Sequence, residues 1–397
     1  MRLEFKNVLV LTCCQALAQT GTIMIITASG LAGYMLATDK SLATLPVSFL
    51  MIGTMITTIP ASLLMGRVGR RPGFWLGTLF GAIGASTAVF GLMRGSFWLF
   101  CVAHTFYGAY LGFSQFYRFA AGEAATPAFR SRAISYVLLG PAVAAVVGPH
   151  LVAFTKDFSA SGAFVATYLT VIFLTLFATA VVSLIDLPKP VPEKGDTPAR
   201  PLSQVISQPK FLVAVITAAV GYGVMNLAMT ATPLAMQTHH HDIGQTAFVI
   251  QWHVLGMFLP SFFTGNLIAR FGPTRIMLVG VVLLLAHVAI ALSGVEFLHF
   301  ASALIFLGIG WNFTFLGGTN LVTETYRPSE KAWAQGINDF VVFITVVIAS
   351  FASGALLHSF GWVGVNLLAL PLLLAVGTML FIYLMRHRME PAPVARS

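Results

Sequence analysis

Two residue pairs, Met225/Met229 and His253/Met257, carry the most chemistry in this chain. Each pair is spaced four apart inside a long apolar run, so on a helix both side chains share one face, one turn apart. Thioether and imidazole form a soft ligand set that suits Cu(I) better than Mg, Ca or Mn. At about 1.5 Å rise per residue, a span at 211–236 puts Met225 near mid-depth. A returning span at 244–269 puts Met257 there too, and Met229 then matches His253. Four such ligands make a two-rung ladder along which an ion is handed. Met is also an adaptable filler of apolar cores. The imidazole deep in a span, a costly placement that usually marks function, lifts the set above packing. His239-His240-His241-Asp242 lies in the loop between these spans. It reads either as a metal-collecting mouth or as a polar turn.

The elements that must position these residues are membrane helices. The chain has 397 residues, 57% hydrophobic and 9% charged, with mean hydropathy +0.86; a soluble domain carries about 25% charged residues. The composition therefore predicts an all-α membrane protein. Twelve apolar runs of spanning length follow one another, with Gly and Pro inside several of them, as membrane helices tolerate. The first run, from Asn7 to about Leu36, is too long for a cleaved signal and is read as retained. Cys13, Cys14 and Cys101 form neither a CxxC pair nor an even framework, and read as small packing residues.

A Pro- and charge-rich segment at 187–210 divides the chain into a six-helix bundle at 1–186 and a second at 211–397. The halves repeat one another. Arg67-Val68-Gly69 corresponds to Arg270-Phe271-Gly272, and Glu123…Pro127 to Glu324…Pro328, each about 200 residues apart. Two six-helix repeats joined by a linker predict a transporter that rocks two bundles about a mid-membrane site. With the N-terminus inside, Lys40, Arg94 and Lys156 are the basic residues left outside, so both termini and the linker are expected in the cytoplasm of a bacterial inner membrane and His239–His241 in the periplasm. The net charge of +9 is thus a topology signal and does not call for nucleic acid.

Gly66-Arg67-Val68-Gly69-Arg70-Arg71-Pro72, between the second and third spans, resembles the loop signature of the major facilitator superfamily. Arg67, Gly69, Arg70 and Arg71 are its gate-loop candidates. The carboxylate usual in that loop is absent, since Met65-Gly66-Arg67 supplies none. The resemblance covers the whole chain and implies the major facilitator fold. Met225/Met229 with His253/Met257 resembles the CcoA-like copper importers of that superfamily, and the resemblance implies these four as metal residues, with copper as cargo rather than cofactor. A sister group, the RfnT-like transporters, is associated with riboflavin and is similar throughout. His104 stands where drug–proton exchangers of the superfamily usually carry Arg, which argues against that class.

Asp339, about two turns into a span at 331–357, is a candidate for proton coupling or for locking the bundle by pairing. Arg118 is expected to snorkel or to meet Glu123. Trp252, Trp311, Phe313 and Phe315 could stack an isoalloxazine ring, with Asn312, Asn320 and Gln251 at its edge. No GxxxxGK[ST] loop and no GxSxG or Ser-His-Asp arrangement is present, so neither ATP-driven transport nor an enzyme is expected. The reading is a secondary transporter importing copper through the Met/His ladder; the alternative is import of riboflavin or a similar small organic solute.

Overall fold

A computed structural model describes residues 3–39, 42–43, 45–159, 162–187 and 199–388. Residues 188–198 of the expected linker, and Lys40, lie outside the described residues. The described residues are helical almost throughout: α1 (Leu3–Leu36), α2 (Leu45–Val68), α3 (Arg70–Arg94), α4 (Phe97–Ser114), α5 (Tyr117–Ala124), α6 (Arg130–Val137), α7 (Gly140–Thr155), α8 (Val165–Val182), α9 (Leu202–Ile206), α10 (Pro209–Thr238), α11 (Ile243–Phe258), α12 (Ser261–Phe271), α13 (Pro273–Ser293), α14 (Phe297–Val322) and α15 (Lys331–Arg388). The twelve expected spans are all present. The fourth is α4 with the first turn of α5, whose end, with Glu123, follows the span; the fifth is α6 with α7, and the eighth α11 with α12.

Two of these internal breaks fall at proline. Pro141 and Pro260 lack an N–H and disfavour helix in the residue before them. The helices accordingly stop at Val137 and Phe258 and restart at Gly140 and Ser261. α15 holds the last two spans, separated at Gly361, whose φ of 65° and ψ of −173° a side chain would strain. The sides of the helices present Phe173, Leu176, Phe262 and Ile348, all more than half exposed. Large apolar residues standing outward in this number fit a hydrocarbon solvent.

The internal repeat is visible in the backbone. Gly69 before α3 has φ 96° and ψ 167°, and Gly272 before α13 has φ 82° and ψ 153°. Both positions lie where glycine alone is at ease, so the two RxG loops make the same turn for the same reason.

The chain forms two compact units. The first comprises Met1–Val205 with Ser261–Gly265 and Tyr326–Val347; the second comprises Ile206–Pro260, Asn266–Thr325 and Ile348–Ser397. The chain first passes from one to the other after Val205, inside the segment read as linker, and crosses again at 260/261, 265/266, 325/326 and 347/348. In the first unit α2, α3 and α8 pack on α4 or α3, and α1 packs on α7 and α8. In the second, α10, α11 and α13 all pack chiefly on α14, and α10 touches α11 only lightly.

Candidate functional site

In the second unit the site residues are organised by α14. Gly308 brings α11 close, since a Cβ there would lie 2.6 Å from the His253 carbonyl oxygen. His253 is fully buried, and its Nδ1–H donates to the Leu304 carbonyl at 2.8 Å. This fixes the neutral tautomer with the lone pair on Nε2, which finds no partner. One turn on, the Met257 carbonyl accepts from Asn312 Nδ2 at 2.7 Å. On α10, Gly221 faces Thr314 of α14, and Met225 follows one turn later, buried; Met229 is part-exposed. The His253 ring and the Met257 backbone are thus held by α14.

His287, which the sequence reading passed over, is the second fully buried imidazole here. Its Nδ1–H donates to the Ala303 carbonyl at 2.9 Å. Ala303 and Leu304 are consecutive on α14, so α13 and α11 each anchor an imidazole to adjacent carbonyls of that helix; His253 Nε2 has no hydrogen-bond partner, while Asn366 adjoins the His287 ring. Its signal was available: a His in the apolar run of α13 costs as much as one in α11.

Beside them stands an aromatic wall. Trp311 stacks on Phe315, with ring centroids 5.0 Å apart and planes at 14°. Tyr222 meets both edge-on, at 5.2 and 5.3 Å, and Phe258 meets Trp311 edge-on at 5.4 Å. Trp311 Nε1 is buried without a hydrogen-bond partner, as is Asn226 Oδ1. Of the aromatics singled out from sequence, Trp311 and Phe315 belong to this wall, whereas Trp252 is exposed and pairs with Phe248. Tyr222 and Phe258 join only because helices distant in sequence meet.

His239 and His240 are exposed, and His241 is part-buried with Nε2 2.8 Å from the Val295 carbonyl oxygen. The segment forms a turn, with His240 at φ 63° and an Asp242/Gln245 capping box starting α11. Among the described residues no group of three or more His, Cys, Asp or Glu converges as a metal site.

The first unit collects buried charge. Arg70 grips Glu123 with two nitrogens, Nη2–Oε1 at 2.5 Å and Nε–Oε2 at 3.1 Å. Lys331 Nζ lies 3.1 Å from Glu123 Oε2, and Arg70 Nη2 also donates to Gln335 Oε1 at 2.5 Å. Gln335 Nε2 donates to Tyr326 Oη at 2.7 Å. Burial works against the Glu123 carboxylate, but Arg70 and Lys331 outweigh it and hold its pKa near 2. Thus Glu123 supplies the carboxylate that the gate loop itself lacks. Of the gate-loop candidates, Arg70 enters this cluster and Gly69 makes the turn. Arg67 is exposed, and Arg71 stacks on Trp75 at 4.9 Å.

Arg118 does not meet Glu123. Its Nη2 lies 2.5 Å from Asp339 Oδ1, with side chains 3% and 0% exposed. Five residues separate Arg118 from Glu123, about 140° around a helix, so they face different neighbours. Asn338 Nδ2 also donates to Asp339 Oδ1 at 2.8 Å. The intramembrane carboxylate is therefore paired, one of the two roles its depth allowed.

The Major Facilitator Superfamily model matches residues 9–251 and again 213–397. The chain belongs to the major facilitator superfamily. Its fold agrees with that of an MFS transporter, FucP, in the outward conformation: TM-score 0.73 at 15% identity, over 96% of this chain and 99% of that one. A bacterial homologue of the iron transporter ferroportin gives TM-score 0.75 at 11% identity, over the same shares. These likenesses establish the fold. In sequence the chain is 43% identical to the riboflavin transporter RfnT of Brucella anthropi, over 94% of each protein. It is 29% identical to an uncharacterized MFS-type transporter, YdeG, of Bacillus subtilis, over 85% of this chain and 82% of that protein. The copper importers weighed above gain no support from these relatives.

Proposed function

We propose that this member of the superfamily is a secondary transporter importing riboflavin, or a similar planar organic solute, across the bacterial inner membrane. The observation that carries the reading is the 43% identity to a riboflavin transporter over 94% of each chain. The aromatic wall of Tyr222, Phe258, Trp311 and Phe315 supports it, because a planar heteroaromatic gains dispersion and quadrupole contacts from such faces. The unpaired Trp311 Nε1 and Asn226 Oδ1 offer a donor and an acceptor for the edge of the ring system. The basic-residue asymmetry supports cytoplasmic termini.

Copper import is the second reading. It rests on His253, whose Nδ1–H is held by a backbone carbonyl while Nε2 stays buried and open, the posture of a metal-binding imidazole, with Met257 one turn away. Both cargoes are tested in one reconstituted preparation by measuring uptake of labelled riboflavin and of copper. Riboflavin accumulation without copper accumulation is expected. The reverse would overturn the organic-solute reading.

A further inference from the structure

A third buried imidazole lies in the first unit, and its surroundings differ from those of His253 and His287. His104 of α4 is 1% exposed, Ser29 of α1 0% and Tyr168 of α8 1%. Nδ1 of His104 lies 2.6 Å from the Phe100 carbonyl oxygen, so it carries hydrogen and donates. Nε2 lies 2.6 Å from Ser29 Oγ and 3.1 Å from Tyr168 Oη. The two hydroxyl oxygens are 3.1 Å apart, and Ser29 Oγ is 2.5 Å from the Ile25 carbonyl oxygen. Small residues, Gly84, Ala85, Ala88 and Ala103, line the space beside the ring.

A neutral ring leaves this network one hydrogen short. Ser29 and Tyr168 bring two hydroxyl hydrogens between them. If Ser29 donates to Nε2, its oxygen faces the Ile25 carbonyl at 2.5 Å with no hydrogen between. If Ser29 donates to Ile25, its oxygen and the Nε2 lone pair face one another at 2.6 Å unless Tyr168 alone serves the ring. Opposed lone pairs at such distances, shut away from water, are unfavourable. One added proton on Nε2 resolves the conflict. Nε2–H donates to Ser29 Oγ, Ser29 donates to Ile25, and Tyr168 donates to Ser29 Oγ. The change needs two hydroxyl rotations and no heavy-atom movement.

We infer that His104, with Ser29 and Tyr168, is a proton-binding site of this transporter. The ligand is one proton, taken by Nε2, leaving an imidazolium that donates from both nitrogens. The other titratable groups facing the ring are phenols, Tyr168 from α8 and Tyr107 from its own helix. The facing stretches of α1, α2 and α3 bring none, so no fixed countercharge stabilises the imidazolium and the proton can leave again. Asp339, by contrast, is held by Arg118.

The test is nitrogen-15 NMR of histidine-labelled, full-length protein in nanodiscs, which needs no cargo. The expected result is one imidazole that passes between the Nδ1–H neutral form and the imidazolium between about pH 4 and 9 and is missing in H104Q. Ser29→Ala keeps the ring but removes the acceptor of Nε2–H, so it should lower the midpoint by about one unit; a purely structural serine would leave it in place. His104 remaining neutral throughout in the parent, or an unmoved midpoint in S29A, would overturn the assignment. A second readout rests on the riboflavin reading. An outside-acid gradient should raise riboflavin accumulation at least threefold in the parent and not in H104Q, while riboflavin counterflow persists in both. Equal gradient-driven accumulation in H104Q would also overturn it. A parent that carries no riboflavin sinks the cargo reading and leaves the titration to decide the proton site.

Discussion

The two units bury polarity in opposite ways. The first buries Arg70, Arg118, Glu330 and Asp339, and each finds an opposite charge: Arg70 with Glu123, which Lys331 also meets, Arg118 with Asp339, and Glu330 with Arg200. The second buries neutral groups, His253, Asn226 and Trp311, and leaves an atom of each without a partner. Paired charges in a dry setting fix geometry, because removing one partner strands the other. Open neutral atoms hold little stability and are free to meet a solute. The comparison places the locking pairs in the first unit and, on the proposed reading, leaves cargo recognition to the second.

The strongest way to break the comparison is at the most buried pair. Arg118→Ala should destabilise the protein by about 3–5 kcal/mol, read as a lower unfolding temperature in detergent. The double variant R118M/D339L should recover most of that loss. A single variant as stable as the parent would show that the pair locks nothing.

Glu123 tests the same idea through pH. Its folded pKa lies below the ordinary 4.5, so its contribution is complete above 4.5 and is lost as pH falls toward 2. The contribution is about 2–3 kcal/mol after allowance for partial exposure. The parent's unfolding temperature should fall over that window, and Glu123→Gln should flatten the fall while lowering stability at neutral pH. Parallel curves for parent and variant would remove Glu123 from the locking role.

On the second unit, Trp311→Ala should weaken riboflavin uptake about tenfold, the worth of one good aromatic contact of about 1.4 kcal/mol, in addition to the roughly 3–5 kcal/mol of stability that truncating so buried a tryptophan costs. Phe315→Leu should cost less. Loss of stability with unchanged KM would make the wall a packing feature. The smallest expected effect is at Met229, where Met229→Ala should leave riboflavin uptake within about twofold. Copper accumulation that the parent shows and Met229→Ala abolishes would restore the metal ladder.

Much of this was legible beforehand. The helical spans and the repeated halves follow from hydropathy and from Gly and Pro, since a helix in lipid must satisfy its backbone within itself; the split at 187–210 did not foresee that Ser261–Gly265 and Tyr326–Val347 belong with the first unit. Gly69 and Gly272 repeat a conformation because both loops carry glycine where a side chain would strain. Trp311, Phe315, His253 and Asp339 could be singled out because buried polarity and aromatic bulk are costly or informative wherever they occur.

Partners were not legible, because the helix period tells which side chains share a face and not which helix that face meets. Arg118 was matched to the nearby Glu123 and instead reaches Asp339, 221 positions away. The four soft ligands were paired by depth between α10 and α11, yet both helices pack mainly on α14, and His253 donates to its backbone. Glu123 replaces the missing gate carboxylate from another helix, and Ser29 and Tyr168 reach His104 from α1 and α8. By itself, the sequence determined that this chain is a membrane transporter of twelve helices and which residues are expensive. Tertiary structure decided which of them are paired, which are left open, and therefore which hold the protein and which can meet a ligand, because a hydrogen bond or ion pair requires approach within about 3 Å.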